Sequence, residues 1–131
     1  MDHNYIPVIS NIDTLADYYF NLGYEHQYNR EYDKAIETFS EAIKLDSKNF
    51  MNYRQRSSVY KLKGEYDVAI KDITKSIELE PYPFTAYIDR GEIYLEKGDY
   101  DNAVKDFEKA LEINPTHVEV LNKKIKAEAS K

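Results

Sequence analysis

The chain contains no cysteine, which excludes disulfide staples and cysteine-based metal or redox chemistry. No apolar run approaches the ~20 residues that a membrane-spanning helix requires. The N-terminus offers only Tyr5-Ile6-Pro7-Val8-Ile9 behind Asp2, with no lysine or arginine ahead of it. A signal peptide needs a basic start and a longer apolar stretch, so the expected location is cytoplasmic, with no membrane partner. Positive charge is also in deficit. Eighteen Lys and Arg against 24 Asp and Glu leave a net charge of −6, the wrong sign for gripping phosphates, so no nucleic acid is expected as a partner. A local basic cluster, Arg54, Arg56, Lys61 and Lys63, reads as a solvated face. No useful length alternates with a period of two, which excludes a sheet. There is no Gly-rich phosphate loop, His-Glu-x-x-His or Ser-centred elbow. His3, His26 and His117 are scattered. The expectation is a non-enzyme without metal or cofactor.

What the 131 residues do contain is a period, within a length that suits one domain and a sizeable core. Gly64-Glu65-Tyr66-Asp67-Val68-Ala69-Ile70 returns as Gly98-Asp99-Tyr100-Asp101-Asn102-Ala103-Val104. It is preceded by Arg30-Glu31-Tyr32-Asp33-Lys34-Ala35-Ile36, so the alanines at 35, 69 and 103 lie 34 apart both times. A unit of that size buries its apolar face only by stacking on its neighbours.

Apolar spacing predicts helices over about 13–29, 33–45, 49–62, 67–79, 84–97, 101–113 and 117–129. Residues 1–12, with Pro7, read as an extended arm carrying an apolar cluster. Asp13 or Thr14 is the expected cap of the first helix; Asp33, Asp67 and Asp101 are the expected N-caps of the second helix of each unit. Gly64 and Gly98 stand where the preceding helix ends and a left-handed residue is needed. Arg30 takes that place in the first unit, at a strain of ~1 kcal/mol. Thr116 and Glu119 have capping-box spacing ahead of the last helix.

The second helices repeat Ala35, Phe39 and Ala42 as Ala69, Ile73 and Ser76, then as Ala103, Phe107 and Ala110. The first helices repeat Tyr19, Gly23 and His26 as Tyr53, Ser57 and Tyr60, then as Tyr87, Gly91 and Tyr94. His26 thus holds a packing position. With Leu22 before Gly23, and Pro81 and Pro115 at the unit ends, these residues resemble the tetratricopeptide repeat pattern. The resemblance covers repeats at 16–49, 50–83 and 84–117. Arg56 and Arg90 depart from it where Leu is preferred, and Ser47 replaces the first Pro. It implies an all-α, right-handed α-solenoid of three helix-turn-helix repeats within a domain spanning 13–131. Residues 118–131 are expected to form a capping helix with Leu121 and Ile125 inward. Lys124 and Glu128 are expected on a polar outer face that ends the array.

The resemblance further implies a non-catalytic adaptor that binds a peptide or partner segment in a concave groove lined by the first helices. On this sequence the groove residues are Phe20, Asn21, Tyr24 and Tyr28, then Arg54, Gln55, Ser58 and Lys61, then Ile88, Asp89 and Glu92. The groove reads as aromatic, then basic, then acidic. Relatives that clamp the acidic tails of chaperones use Lys, Asn and Arg. The matching positions here are Phe20, Tyr24, Gln55, Thr85 and Asp89, so that specialisation is not expected. The alternative is a structural self-association unit, a homodimer, or a groove filled by the chain's own arm.

Overall fold

A computed structural model describes residues 12–131 as seven helices in an antiparallel, stepwise stack without strands. They are α1 (Ile12–Tyr28), α2 (Tyr32–Leu45), α3 (Phe50–Leu62), α4 (Tyr66–Leu79), α5 (Phe84–Lys97), α6 (Tyr100–Ile113) and α7 (Val118–Ala129). Each matches an expected helix to within about a residue at either end. The arm expected over 1–12 lies outside the described residues, apart from Ile12, which begins α1. Helices pair within a unit as α1–α2, α3–α4 and α5–α6, and units join as α2–α3, α4–α5 and α6–α7.

The close crossing in each pair follows from residue size. Ala35, Ala69, Ala103, Ala42 and Ala110 are fully buried, as is Ser76. At Gly23 an added Cβ would lie 2.8 Å from the Phe39 ring, and at Gly91 2.6 Å from the Phe107 ring. The two glycines are therefore the floor on which those rings lie. Between pairs, Val59, Ile93 and Val120 fill the interlayer space. The turn residues also behave as expected. Gly64 (φ 78°) and Gly98 (φ 88°) are left-handed, and Arg30 adopts φ 62° in the first unit, where its Cβ is strained by ~1 kcal/mol.

The caps differ from expectation. Helices α2, α4 and α6 begin one residue earlier, so their N-caps are Glu31, Glu65 and Asp99. Of these, Asp99 accepts from the Asn102 amide at 3.3 Å; Glu31 and Glu65 make no side-chain cap bond. Asp33, Asp67 and Asp101 sit inside the first turn, where a negative charge favours the helix dipole. They accept instead from Lys63 (2.6 Å), Lys97 (2.6 Å) and Lys131 (3.1 Å), each 30 residues on. Asp13 and Thr14 likewise fall within α1 rather than before it. At α7 the N-cap is His117, not Thr116, and it makes no side-chain cap bond; its ring packs edge-on against Phe84.

The inward face of α7 is also rotated from expectation. Val120 and Ala127 are fully buried, whereas Leu121 and Ile125 are exposed. Subtracting one period explains this. Val120 and Ala127 correspond to buried Ala86 and Ile93, which face the preceding unit. Leu121 and Ile125 correspond to Tyr87 and Gly91, which face the second helix of their own unit.

Arg56 and Arg90, the departures from the repeat pattern, have a shared role. Arg56 forks onto Asp72 at 2.7 and 2.8 Å and donates to Ser40 at 3.0 Å. Arg90 repeats this one period later, on Asp106 at 2.8 and 2.7 Å and Thr74 at 3.1 Å. Each guanidinium joins its own unit's two helices to the unit before. Donating to the buried aspartates holds both guanidinium pKa values up. Burial pushes the Asp106 carboxyl up, against the pull of Arg90. In the first unit the same places hold Leu22 and Thr38.

Removing one partner of such a pair strands a buried charge, at about 3–5 kcal/mol. Arg90→Leu is therefore expected to lower stability by ~3 kcal/mol. Arg90→Leu with Asp106→Thr, which copies the first unit, should recover most of the loss. Urea unfolding of both variants checks this; a double variant no better than the single would refute the pairing.

Candidate functional site

The first helices of successive units meet along one face through polar bridges. Gln27 Nε2 on α1 donates to Ser58 Oγ on α3 at 3.3 Å. Arg54 Nε on α3 donates to Asp89 on α5 at 3.0 Å. Lys123 on α7 pairs with Glu92 on α5 at 2.6 Å. The expected basic middle and acidic last third thus neutralise each other across the helix boundaries. Among the described residues, Lys61, Lys126 and Glu96 make no ion pair.

The aromatic third divides in the same way. Phe20 is half-buried, with its ring edge-on to Phe39 at 5.8 Å, so it belongs to the core as much as to the surface. Tyr24 and Tyr28 are 54% and 83% exposed, and Asn21 is exposed beside them. Ile88 packs against the last unit's core. Gln55, Ser58 and Lys61 remain at the centre of the face.

At that centre lies a cavity of about 160 Å³, bounded by Arg54, Gln55, Ser58, Lys61 and Asp89 above and by Ser57, Ile73 and Ile93 below. A second, broader depression of about 570 Å³ begins at Lys61 and runs over Leu95, Tyr100 and Glu96 to Lys123, Lys126 and Ser130. Lys61 borders both. Ser57, Ile73 and Ile93 were not among the expected site residues. The interrupted pairing of Gly with Phe at 57 and 73 was the available signal for the first two.

The carboxylates here are tuned by burial. Burial pushes the Asp89 carboxyl above its ordinary range, against the attraction and hydrogen bond of Arg54; Glu92 adds to the rise. Burial likewise raises Glu80, whose Oε2 has no hydrogen-bond partner, with Arg54 opposing. No group of three or more His, Cys, Asp or Glu among the described residues is arranged to hold a metal ion. The face offers Arg54 held by Asp89, Lys61 without an ion pair, two exposed phenols and a small cavity, which suits recognition of side chains.

Comparison with known proteins settles the architecture. The tetratricopeptide repeat profile matches residues 16–49 and 84–117, and a second profile of the same repeat matches 53–83. The chain belongs to the tetratricopeptide repeat family. No curated protein matches its sequence. Among solved tetratricopeptide structures, one is the first such domain of Spaghetti (RPAP3) bound to the HSP90 peptide SRMEEVD. It has 23% identity and a TM-score of 0.83, over 95% of this chain and 98% of that one. The second such domain of human RPAP3, in complex with the HSP70 peptide SGPTIEEVD, has 24% identity and a TM-score of 0.82, over 90% and 98%. The Arabidopsis OM64 domain has 23% identity and a TM-score of 0.80, over 89% and 97%. At these identities the likeness is one of fold.

Asp89 carries a pH prediction. Its folded pKa lies above its unfolded value, so folding takes up a proton at this group. Its contribution to stability is then fullest below the unfolded pKa and is lost as pH rises through the folded one. Asp89→Asn removes the titration. The stability gap between the two proteins should move toward the wild type as pH falls from about 7 to about 3.5, measured by urea unfolding. A gap moving toward the variant would mean that Arg54, not burial, sets the Asp89 pKa.

Proposed function

We propose that this protein is a non-catalytic interaction module that takes an extended segment of a protein partner across the face of α1, α3 and α5. Tetratricopeptide repeat domains are protein–protein interaction modules, and the similar domains of RPAP3 bind peptides. Among the described residues no helix is long and apolar enough to cross a membrane. The observation that carries the reading is what this face leaves exposed. Arg54–Asp89 and Lys123–Glu92 are paired across the helices, whereas Tyr24 and Tyr28 are exposed on α1 and Lys61, without an ion pair, borders a cavity. Exposed aromatics are common anchor points of protein recognition.

The partner proposed is not the acidic tail that RPAP3 binds. Where a carboxylate clamp needs Lys, Asn and Arg, this chain has Phe20, Tyr24, Gln55, Thr85 and Asp89. Asp89 occupies Arg54, and its charge opposes a carboxylate at that place. A second reading, self-association, has its own observation. Val118, Leu121 and Ile125 form an exposed apolar stripe along α7. Sedimentation over a wide concentration range checks it, and a strict monomer removes it.

For the first reading, displayed random heptapeptides are selected on the wild type and the enriched sequences titrated by calorimetry. They should lose affinity by about tenfold or more on the Tyr24→Ala/Arg54→Glu variant, and a peptide ending Glu-Glu-Val-Asp should not bind. Equal affinity for wild type and variant would move the site to another surface.

A further inference from the structure

We propose that the cavity between α3, α4 and α5 takes the side-chain amide of an asparagine or glutamine from the partner segment. This rests on the reading of the first-helix face as the binding surface, and it names the chemistry that the centre of that face selects.

Arginines 54, 56 and 90 differ in how much of the guanidinium is used. Arg56 donates from Nε and Nη2 to Asp72 and from Nη1 to Ser40. Arg90 does the same with Asp106 and Thr74. Arg54 donates from Nε alone, to Asp89 Oδ2 at 3.0 Å, and its two terminal nitrogens have no hydrogen-bond partner among the described residues. Asp89 Oδ1 is left over in the same way. Both side chains border the cavity of about 160 Å³. On the same walls Ser58 accepts from Gln27 at 3.3 Å, so its own O–H remains to donate. Gln55 and Lys61 border the cavity without a hydrogen bond among the described residues. Ser57, by contrast, is spent on the Ala69 carbonyl oxygen at 2.8 Å, and Ile73 and Ile93 are almost fully buried. They close the base of the cavity, and its open chemistry is polar. This set does not recur. The places of Arg54, Gln55 and Ser58 hold Phe20, Asn21 and Tyr24 in unit one, and Ile88, Asp89 and Glu92 in unit three.

Donors and an acceptor together narrow the occupant. An apolar side chain would cover these groups without pairing them, and a polar group covered unpaired costs free energy. A carboxylate would accept from Arg54 but lie against Asp89. Burial already pushes that carboxyl above its ordinary range, and Glu92 adds to the rise. A lysine or arginine would donate to Asp89 but meet the charges of Arg54 and Lys61. A primary amide is neutral, accepts through its oxygen and donates through its nitrogen. Its oxygen suits the free end of the Arg54 guanidinium and the Ser58 hydroxyl, and its nitrogen suits Asp89 Oδ1. The amide thereby completes an ion pair that the chain itself closes through a single hydrogen bond. A cavity of about 150 Å³ holds a benzene molecule, so a group as small as an amide has room.

The heptapeptides selected on the wild type are the probe. One position should be enriched in asparagine or glutamine, and replacing that residue by glutamate or by leucine should weaken binding about tenfold in calorimetry. Asp89→Asn keeps the shape of the side chain and removes its charge, so the glutamate peptide should gain affinity and the preference for the amide should be lost. Arg54→Lys keeps the charge and removes the free end of the guanidinium. It should cost the amide peptide about fivefold and leave the leucine peptide unchanged. This second variant decides alone if thermal melting shows that Asp89→Asn does not fold. Enrichment of another residue type, hydroxyl side chains included, overturns the proposal. So does equal binding of the amide, glutamate and leucine peptides, or an amide preference that a folded variant leaves untouched. Failure of the face is read separately. Peptides without an amide preference that still lose affinity on Tyr24→Ala/Arg54→Glu overturn the pocket and leave the binding face standing. Peptides insensitive to Tyr24→Ala/Arg54→Glu, or a selection that enriches none, overturn both.

Discussion

Two helices of one unit can cross closely only where one of them has almost no side chain, and the stack is built on that contact. Phe39 and Phe107 lie where a methyl group at Gly23 or Gly91 would come within 3 Å of the ring. The alanines at 35, 69 and 103 are fully buried at the equivalent place of each unit. With the crossing set by steric exclusion, the helix pair recurs every 34 residues. Everything else on the surface inherits that spacing, including which charges come within reach of each other.

That inheritance brings many carboxylates of this acidic chain within reach of a cation. Lys63, Lys97 and Lys131 each find an aspartate of the unit before, and Arg56 and Arg90 each bind a buried aspartate of their own unit. Exposed pairs of the first kind contribute little individually. The buried pairs are different, because either member alone would be an unpaired charge in a poorly solvated place. Their two-pronged geometry also fixes the rotation of one helix against the next, and the contacts to Ser40 and Thr74 extend it into the preceding unit. Lys124, one period after Arg90, reaches Glu108 at 3.8 Å and carries a weaker form of the same link into α7.

The sequence made the scaffold legible because its determinants are local or periodic. Gly64, Gly98 and even Arg30 announced left-handed turns, and the 34-residue spacing announced the stack. The caps were misread because a helix start depends on which residue first adopts helical backbone angles. Asp33 and Glu31 differ by only two positions, and the lysine that engages Asp33 lies 30 residues away. The inward face of α7 was misread for a related reason. Leu121 and Ile125 look like core by hydrophobicity alone, but alignment with Tyr87 and Gly91 puts them on the side that the second helix of a unit covers, rather than on the side facing the preceding unit. The face of the first helices was the least legible. Counting charges made it basic then acidic, whereas Arg54–Asp89 and Lys123–Glu92 remove most of that contrast, and only coordinates show which charges touch.

In a repeat protein, what recurs in every unit is accounted for by stacking, so specificity has to come from what does not recur. Most of the differences between units compensate one another. Leu22 with Thr38 replaces an Arg–Asp pair, and Arg30 replaces a glycine at modest strain. At positions 57 and 73 a serine and an isoleucine stand for the glycine and phenylalanine of the other units, with nearly the same number of side-chain atoms, and Ser57 settles its hydroxyl on the Ala69 carbonyl oxygen. The differences left over lie on the face of the first helices, where Tyr24 and Tyr28 of unit one become Ser58 and Leu62 in unit two and Glu92 and Glu96 in unit three. A partner segment crossing α1, α3 and α5 would meet a different set of side chains from each unit, which is how a periodic scaffold can be selective without disturbing the contacts that stack it.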